Sequence, residues 1–516
     1  MSHTTNLHNS ASEKSPRAGP GEVRRGNTDL LRALGSDSAE DIRIDFDTAR
    51  DIRLAIPNQS EQDTEEGCPR DSSNPPSARP RTSPRTPKDG SDWLRDRFMR
   101  RGKRKFGVVE SLKAIVKSSW LNLLFVFIPI SWALHFTNDQ NNWPFQVIFP
   151  ISLVALVPLE KSLKYGGDQI SLYCGKEIGD LIIVTLNNAV EATLAIILLV
   201  KCELRLLQST IIGVILLHLL LVPGVAFIIG GAKLIYQSLN QHSAQLNHIL
   251  LLMGAFTLVL PTALYATLQN ADAMSDDSIR EDLLKVSHAL AIILLIVYAY
   301  SRVFLYDPPG DNNAFRALPD APTALLEEEL KLFHGEPEVN QWVCIGFLLA
   351  TIGLMAPSAE FLVDSVDIVE SHTQVGLQYF GLIVLPLSSY AADAILAAGY
   401  FIRTTLRYFI GWKSPPTRVA KARSIEASIQ FNLFWLPLII LLGWWTNRPI
   451  TLLFDAFEVT ILIGACFLVN FVTADAKTNW AEGATMVSFY IMIAITAWFH
   501  IGNASINQLL NAGQCS

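Results

Sequence analysis

From about residue 119 onward the chain alternates long apolar runs with short polar links, whereas the first hundred residues hold no comparable run. A helix crosses a bilayer with roughly 17 to 25 apolar residues. Runs of that kind fall at 119–136, 145–164, 178–200, 206–230, 246–269, 285–306, 341–363, 376–402, 428–446, 456–474 and 483–502, the second and ninth being the least clear. The pattern predicts an all-α polytopic membrane protein of about eleven transmembrane helices.

A mostly polar loop, 307–340, divides the apolar region. It leaves 119–306 as the first span plus one group of five and 341–502 as a second group of five. With an odd number per group, the second enters the bilayer upside down relative to the first, as in inverted-repeat transporters.

Polar segments add an orientation. Residues 1–105 are rich in Ser, Pro, Asp, Glu and Arg and are expected to be disordered, since so few apolar groups cannot offset the entropy of folding. The Ser83-Pro84 and Thr86-Pro87 dipeptides are candidate phosphorylation sites of a kind common in such tails, and the tail as a whole is a candidate docking region for regulators. Arg95, Arg97, Arg100, Arg101, Lys103, Arg104 and Lys105 then abut the first span. Such clusters stay cytoplasmic and attract anionic lipid, and beside a membrane span a nucleic-acid partner is not expected.

The loop after the eighth span carries Arg403, Arg407, Lys413, Arg418, Lys421 and Arg423 without an acid, while opposite loops hold Asp272, Asp276, Asp277, Glu281, Asp282, Asp364, Asp367 and Glu370. This bias puts the N-terminus in the cytoplasm and the short tail 503–516, with its glycosylation-like Asn503-Ala504-Ser505, on the luminal side. Lys201 and Arg205, in a short luminal loop, break the rule.

Composition agrees: 50% of the 516 residues are hydrophobic and 17% charged, so the net charge of −7 averages two different materials. The six cysteines show no metal-like spacing and imply no disulfide framework. The start, MSHTTNLHNS, lacks the apolar core of a cleavable signal, which leaves targeting to the first span. No nucleophile–base pairing or phosphate-binding loop is visible, so neither an enzyme nor a bound cofactor is expected.

Two acids interrupt matching apolar spans. Glu191 lies in Thr185-Leu186-Asn187-Asn188-Ala189-Val190-Glu191-Ala192, and Asp393 in Leu387-Ser388-Ser389-Tyr390-Ala391-Ala392-Asp393-Ala394. Each occupies the second helix of its half. An acid at midplane costs several kcal/mol and faces a bundle interior or water. Two such acids at related positions of inverted halves converge near the pseudo-twofold axis. Bare like charges in a low dielectric must be protonated or neutralised by a cation, which is the chemistry of exchange. A structural pair, each acid hydrogen-bonded to a neighbour, is the simpler alternative.

With these motifs in view, the chain resembles the vacuolar calcium/proton exchangers (CAX) of the calcium/cation antiporter superfamily. The resemblance runs from about Trp120 to His500. It rests on Phe149-Pro150-Ile151-Ser152-Leu153, Asn188-Ala189-Val190-Glu191, Glu203-Leu204-Arg205 with Gln208, Ala359-Glu360-Phe361, Gly381-Leu382-Ile383-Val384-Leu385-Pro386, Ser428-Ile429-Gln430, Phe454-Asp455-Ala456-Phe457-Glu458 and Lys477-Thr478-Asn479-Trp480-Ala481-Glu482-Gly483.

It implies a peripheral first helix, two inverted five-helix repeats, and exchange of calcium for protons across a vacuolar membrane. Cation and protons then share Glu191 and Asp393, with Asn188 in support. The pathway is lined by Asn187, Gln208, His218, Ser389, Tyr390, Ser428, Gln430 and Glu360. Glu458 and Asp475, at opposite ends of the tenth helix, are read as structural charges placed where charge is cheap, and Glu327, Glu328 and Glu329 stand where the family has an acidic helix.

The departures fall in the site. Asn187 and Ser389 replace glycines, Tyr390 an asparagine, Asp393 a glutamate and Ala394 a histidine. His218 replaces an asparagine, Val214 and Leu217 replace hydroxyl residues, and Glu426 a glycine. Fewer oxygen ligands favour a monovalent ion, and an imidazole ligand at His218 would favour manganese or zinc, although a neutral, hydrogen-bonded His218 is the plainer reading. Loss of transport, leaving a membrane scaffold or sensor, is the remaining alternative.

Overall fold

The computed structural model describes residues 98–99, 107–141, 143–174, 176–231, 237–238, 241–269, 276–306, 336–372, 375–409, 423–475, 477–500 and 502. The basic run at 95–105, most of the preceding tail, the acidic cluster at 327–329 and the triplet at 503–505 lie outside these residues.

The described chain is almost wholly helical, because a backbone in hydrocarbon has no water to satisfy its N–H and C=O groups. A short helix, α1 (Val108–Lys117), precedes a 3-10 turn (Trp120–Val126) that runs into α2 (Phe127–Asn141). The first five-helix group then comprises α3 (Phe145–Cys174), the broken helix α4 (Lys176–Asn187) and α5 (Ala189–Lys201), α6 (Leu204–Leu216) continuing into α7 (Val222–Gly231), α8 (Gln241–Gln269) and α9 (Asp276–Tyr306). The second comprises α10 (Gln341–His372), α11 (Leu377–Tyr379) continuing into α12 (Leu385–Phe409), α13 (Arg423–Gln430) continuing into α14 (Leu436–Trp445), α15 (Ala456–Val472) and α16 (Trp480–Trp498). Two short strands, β1 (Gln237–Ser238) and β2 (Lys477–Thr478), pair antiparallel.

Each of the eleven expected runs falls on one of these helices. Among the described residues nine helices are long and apolar enough to cross a membrane. The pair α4–α5 adds a tenth if its two parts count as one span, and α15, with 17 residues, is shorter. The figure of eleven crossings therefore depends on the bent pair and the short helix. The first span is the least enclosed, 17% buried, as a peripheral helix should be. Residues 204–229 and 424–445, the third helix of each group, are the most enclosed at 72%. Exposed Ile196, Leu260, Ile296 and Phe471 give the outer helices an apolar surface suited to lipid.

Prolines shape the interior helices. A proline cannot donate to the carbonyl four residues back and its ring crowds that carbonyl, so the preceding turn widens. Three π-helical turns result: Leu217–Leu221 ahead of Pro223, Phe380–Val384 ahead of Pro386, and Phe431–Trp435 ahead of Pro437. The first and third occupy the third helix of their respective groups, so the two halves share this device.

Glycines bring the halves into close contact, two of them where α6 meets the second half. A Cβ on Gly381 would stand 2.8 Å from the Ser209 Cβ and 3.0 Å from the Leu206 carbonyl oxygen, and one on Gly213 would run into the Leu382 carbonyl. Small residues at such crossings let transmembrane backbones approach and gain dispersion contact where lipid offers no hydrophobic drive. Gly213→Val and Gly381→Val should each cost about 1–3 kcal/mol through overpacking. Thermal unfolding in detergent should show lower midpoints for both, with Gly353→Val, where a Cβ meets nothing within 4 Å, unchanged.

Candidate ion-exchange site

Asparagine competes with helical hydrogen bonding, and here it breaks a span. Asn188 adopts φ −94°, ψ 5° between α4 and α5, whose axes bend by 52°. Glu191 consequently sits in the first turn of α5, where the helix N-terminus favours negative charge. Its side chain is buried. One carboxylate oxygen lies 3.7 Å from His218 Nε2. The other makes no hydrogen bond of normal geometry; the Ser389 hydroxyl lies beside it but donates instead to the Pro386 carbonyl at 2.8 Å.

Asn188 closes the break against the opposite half. Its amide donates to the Ala427 carbonyl at 3.1 Å and to Gln430 Oε1 at 2.9 Å. Gln430 in turn donates to Thr185 Oγ1 at 2.8 Å and to the Tyr298 hydroxyl at 3.1 Å. Ser428 reaches the Ile215 carbonyl at 3.5 Å. Asn187 ends α4, half-buried. His218 is the second residue of its π-turn, and Asn432 is the second residue of the corresponding turn in the other half, buried with neither amide atom hydrogen-bonded.

Asp393 does not stand free. Its Oδ2 lies 2.8 Å from Lys164 Nζ, and the same ammonium lies 2.5 Å from Glu160 Oε1, one helical turn earlier on α3. Glu160 is buried, and its second oxygen accepts from the Ala392 backbone N–H at 3.3 Å. Tyr390 is buried within electrostatic reach of Asp393, Lys164 and Glu160. Glu191 is likewise within reach of Lys164 and Asp393. The two expected acids thus share one electrostatic cluster, but with an ammonium and a third carboxylate between the halves. Neither Glu160 nor Lys164 was foreseen. The available signal was an acid and a base four residues apart at the end of an apolar run, and it was taken for the end of the span.

The remaining expected residues are elsewhere. Gln208 donates to the Thr451 and Leu453 carbonyls at 3.0 and 2.9 Å and anchors the segment leading to α15, away from Glu191's partners. Glu360 is exposed and 3.6 Å from Lys201, which also bonds Asp364. Arg205 reaches Asp455 at 3.1 Å, and Asp455 caps α15 by accepting from the Phe457 N–H. The two basic residues that broke the loop-charge rule are therefore committed to acids. Glu458 is not at a cheap position: it is buried and accepts from the Ser209 hydroxyl at 2.5 Å, because α15 begins inside the bundle. Cys202 is disulfide-bonded, which the cysteine spacing did not announce, while the buried Cys344 and Cys466 are thiols.

A buried Glu191 after a broken helix, within electrostatic reach of carboxylates on α3 and α12 of two five-helix groups, is the arrangement of a secondary ion exchanger. The chain belongs to the sodium/calcium exchanger protein family, whose model matches residues 144–306 and 343–499, one segment in each half. It is 30% identical over 475 residues to the vacuolar calcium ion transporter of Cryptococcus neoformans var. grubii, spanning 77% of each chain. It is 28% identical to the Ca(2+)/H(+) antiporter of Synechocystis, over 74% of this chain and 98% of that one. The solved structure of native YfkE superposes with a TM-score of 0.54 at 20% identity, covering 73% of this chain and 100% of the other, which establishes a shared fold.

The Arg205–Asp455 pair is buried on both sides, whereas Lys201 and its acids are partly exposed. Arg205→Leu should cost about 1–3 kcal/mol by taking the guanidinium from a buried carboxylate that keeps the Phe457 N–H and His500, 3.5 Å away. Lys201→Leu should cost about 0–1 kcal/mol. Thermal unfolding of the two purified variants checks the contrast.

Proposed function

We propose that this protein is a cation/proton antiporter of the vacuolar membrane, moving calcium into the lumen in exchange for protons. The observation that carries the reading is the ionic cluster of Glu160 and Lys164 from one half with Asp393 from the other, within electrostatic reach of Glu191 in the first turn after the Asn188 break. Carboxylates that cannot all stay bare in a low dielectric take either protons or a cation, so occupancy by one excludes the other. Calcium is a hard ion that prefers oxygen ligands, and carboxylate, amide and backbone oxygens all occur here. In this reading the ion is cargo, Glu191 and Asp393 are its carboxylate ligands, and Asn188, with Gln430, holds the break in shape.

The names of the relatives support calcium and the vacuole. The loop-charge bias supports a cytoplasmic N-terminus, with 1–105 and 307–340 cytoplasmic and 503–516 luminal. Anionic lipid at the basic run and regulators of the tail are the partners this layout suggests. Exchange needs no nucleophile and no bound cofactor.

Purified protein in proteoliposomes with an acidic interior should accumulate calcium, and collapse of the pH gradient should stop it. Glu191→Gln and Asp393→Asn should each reduce uptake to background while eluting as well-folded proteins. Full uptake by both variants would refute the assignment.

A further inference from the structure

The exchange reading leaves the ion pair of Lys164 and Glu160 without a task. The Lys164 ammonium sits between two carboxylates, 2.5 Å from Glu160 and 2.8 Å from Asp393, with only 18% of the side chain exposed. Glu160 is held in turn by the Ala392 N–H, so the acceptor pair is fixed across α3 and α12. An ammonium is a compact point charge on a flexible stem. It fills the space where carboxylate oxygens from the two halves would otherwise face each other.

We propose that Lys164 is a specificity-determining residue: a tethered cation that competes with the transported ion for Asp393. Cargo engages Asp393 only when the lysine stem swings its ammonium aside, and Glu160 is the acceptor that retains it. Lys164 thereby weakens the site for any cation, and most for one that cannot match two carboxylates at once. It also keeps Asp393 from standing uncompensated when cargo has left. The inference rests on the exchange reading for the role of Asp393, but it makes a separate demand on affinity.

The test is calcium binding to purified full-length protein by isothermal titration, with calcium alone as the probe. Lys164→Met should bind calcium at least about tenfold more tightly than the unmodified protein, a gain of about 1.4 kcal/mol. Glu160→Gln, which leaves the ammonium wholly to Asp393, should bind more weakly than the unmodified protein. The double variant Glu160→Gln/Lys164→Met deletes the ion pair as a unit and should again bind more tightly, which keeps the test decisive should Lys164→Met alone fail to fold. Unchanged or weakened binding in whichever of the two lysine variants folds overturns the proposal, since a purely structural lysine gives loss and not gain. Failure of calcium uptake by the unmodified protein, together with tighter binding by Lys164→Met, would sink the transport reading and leave the competition standing. Uptake by the unmodified protein with no gain in either lysine variant would do the reverse.

Discussion

A charge in hydrocarbon must find an opposite charge, a hydrogen-bond donor or water, because the medium supplies none of its own. The architecture of the bundle interior follows from that constraint. Glu160, Lys164 and Asp393 bridge α3 and α12, Arg205 and Asp455 bridge α6 and the start of α15, and Ser209 holds Glu458. Each link joins the first five-helix group to the second or sits where they meet. Glu191 has no partner as close: one of its oxygens lies 3.7 Å from His218 Nε2, and the other, like one oxygen of Glu458, has no hydrogen-bond partner among the described residues. An exchange site needs one such under-satisfied group, since an acid fully paired within the protein has no reason to bind cargo.

Helix geometry places these groups at the required depth. An unbroken span has no spare backbone polar groups to offer inside the membrane. Asn188 opens one, and the three proline-linked π-turns loosen others. The cost is contained because the most enclosed helices carry two of the π-turns, so that neighbouring backbone and side chains, not lipid, surround the irregular turns. Gly213 and Gly381 then bring the backbones of α6 and the second half near contact beside the site.

Much of this was legible in the residues. Apolar run length located a helix at each expected run, nine of them long enough to cross a membrane among the described residues, and the enclosure of the third helix in each half agrees with a peripheral first helix. Glu191 and Asp393 were legible because an acid in the middle of an apolar run has no cheap explanation. Glu160 and Lys164 were not, because charges at the end of an apolar run do have one: they look like the helix reaching water. The structure continues α3 for ten residues beyond Lys164, to Cys174, so the apparent end is the interior. Glu458 was misjudged for the same reason, its helix beginning inside the bundle. A linear pattern reports where hydrophobicity stops and carries no information on what the next helix places there. Gln208 has a structural task the sequence did not show: its amide nitrogen donates to the Thr451 and Leu453 carbonyls, while its Oε1 is buried without a hydrogen bond.

The departures from the family pattern gather around the lysine. In the second half an amide, a glycine and a histidine are replaced by Tyr390, Ser389 and Ala394, and the acid is one methylene shorter at Asp393. For a site that must wrap a bare metal ion these are losses of ligand and of backbone freedom. For a site whose resting occupant is an ammonium they are tolerable. Lys164 needs acceptors only, and Glu160 with Asp393 supplies two. A shorter acid leaves room for the ammonium, and the buried Tyr390 ring, in place of a small amide, limits solvent on that side. The simultaneous presence of Glu160 and Lys164, one turn apart, points the same way. Without Glu160 the ammonium would be left to Asp393 alone, and without Lys164 both carboxylates would lose their cation, so the three groups are best balanced together. The substitutions that look like decay when read one at a time are mutually consistent once the lysine is counted as part of the site.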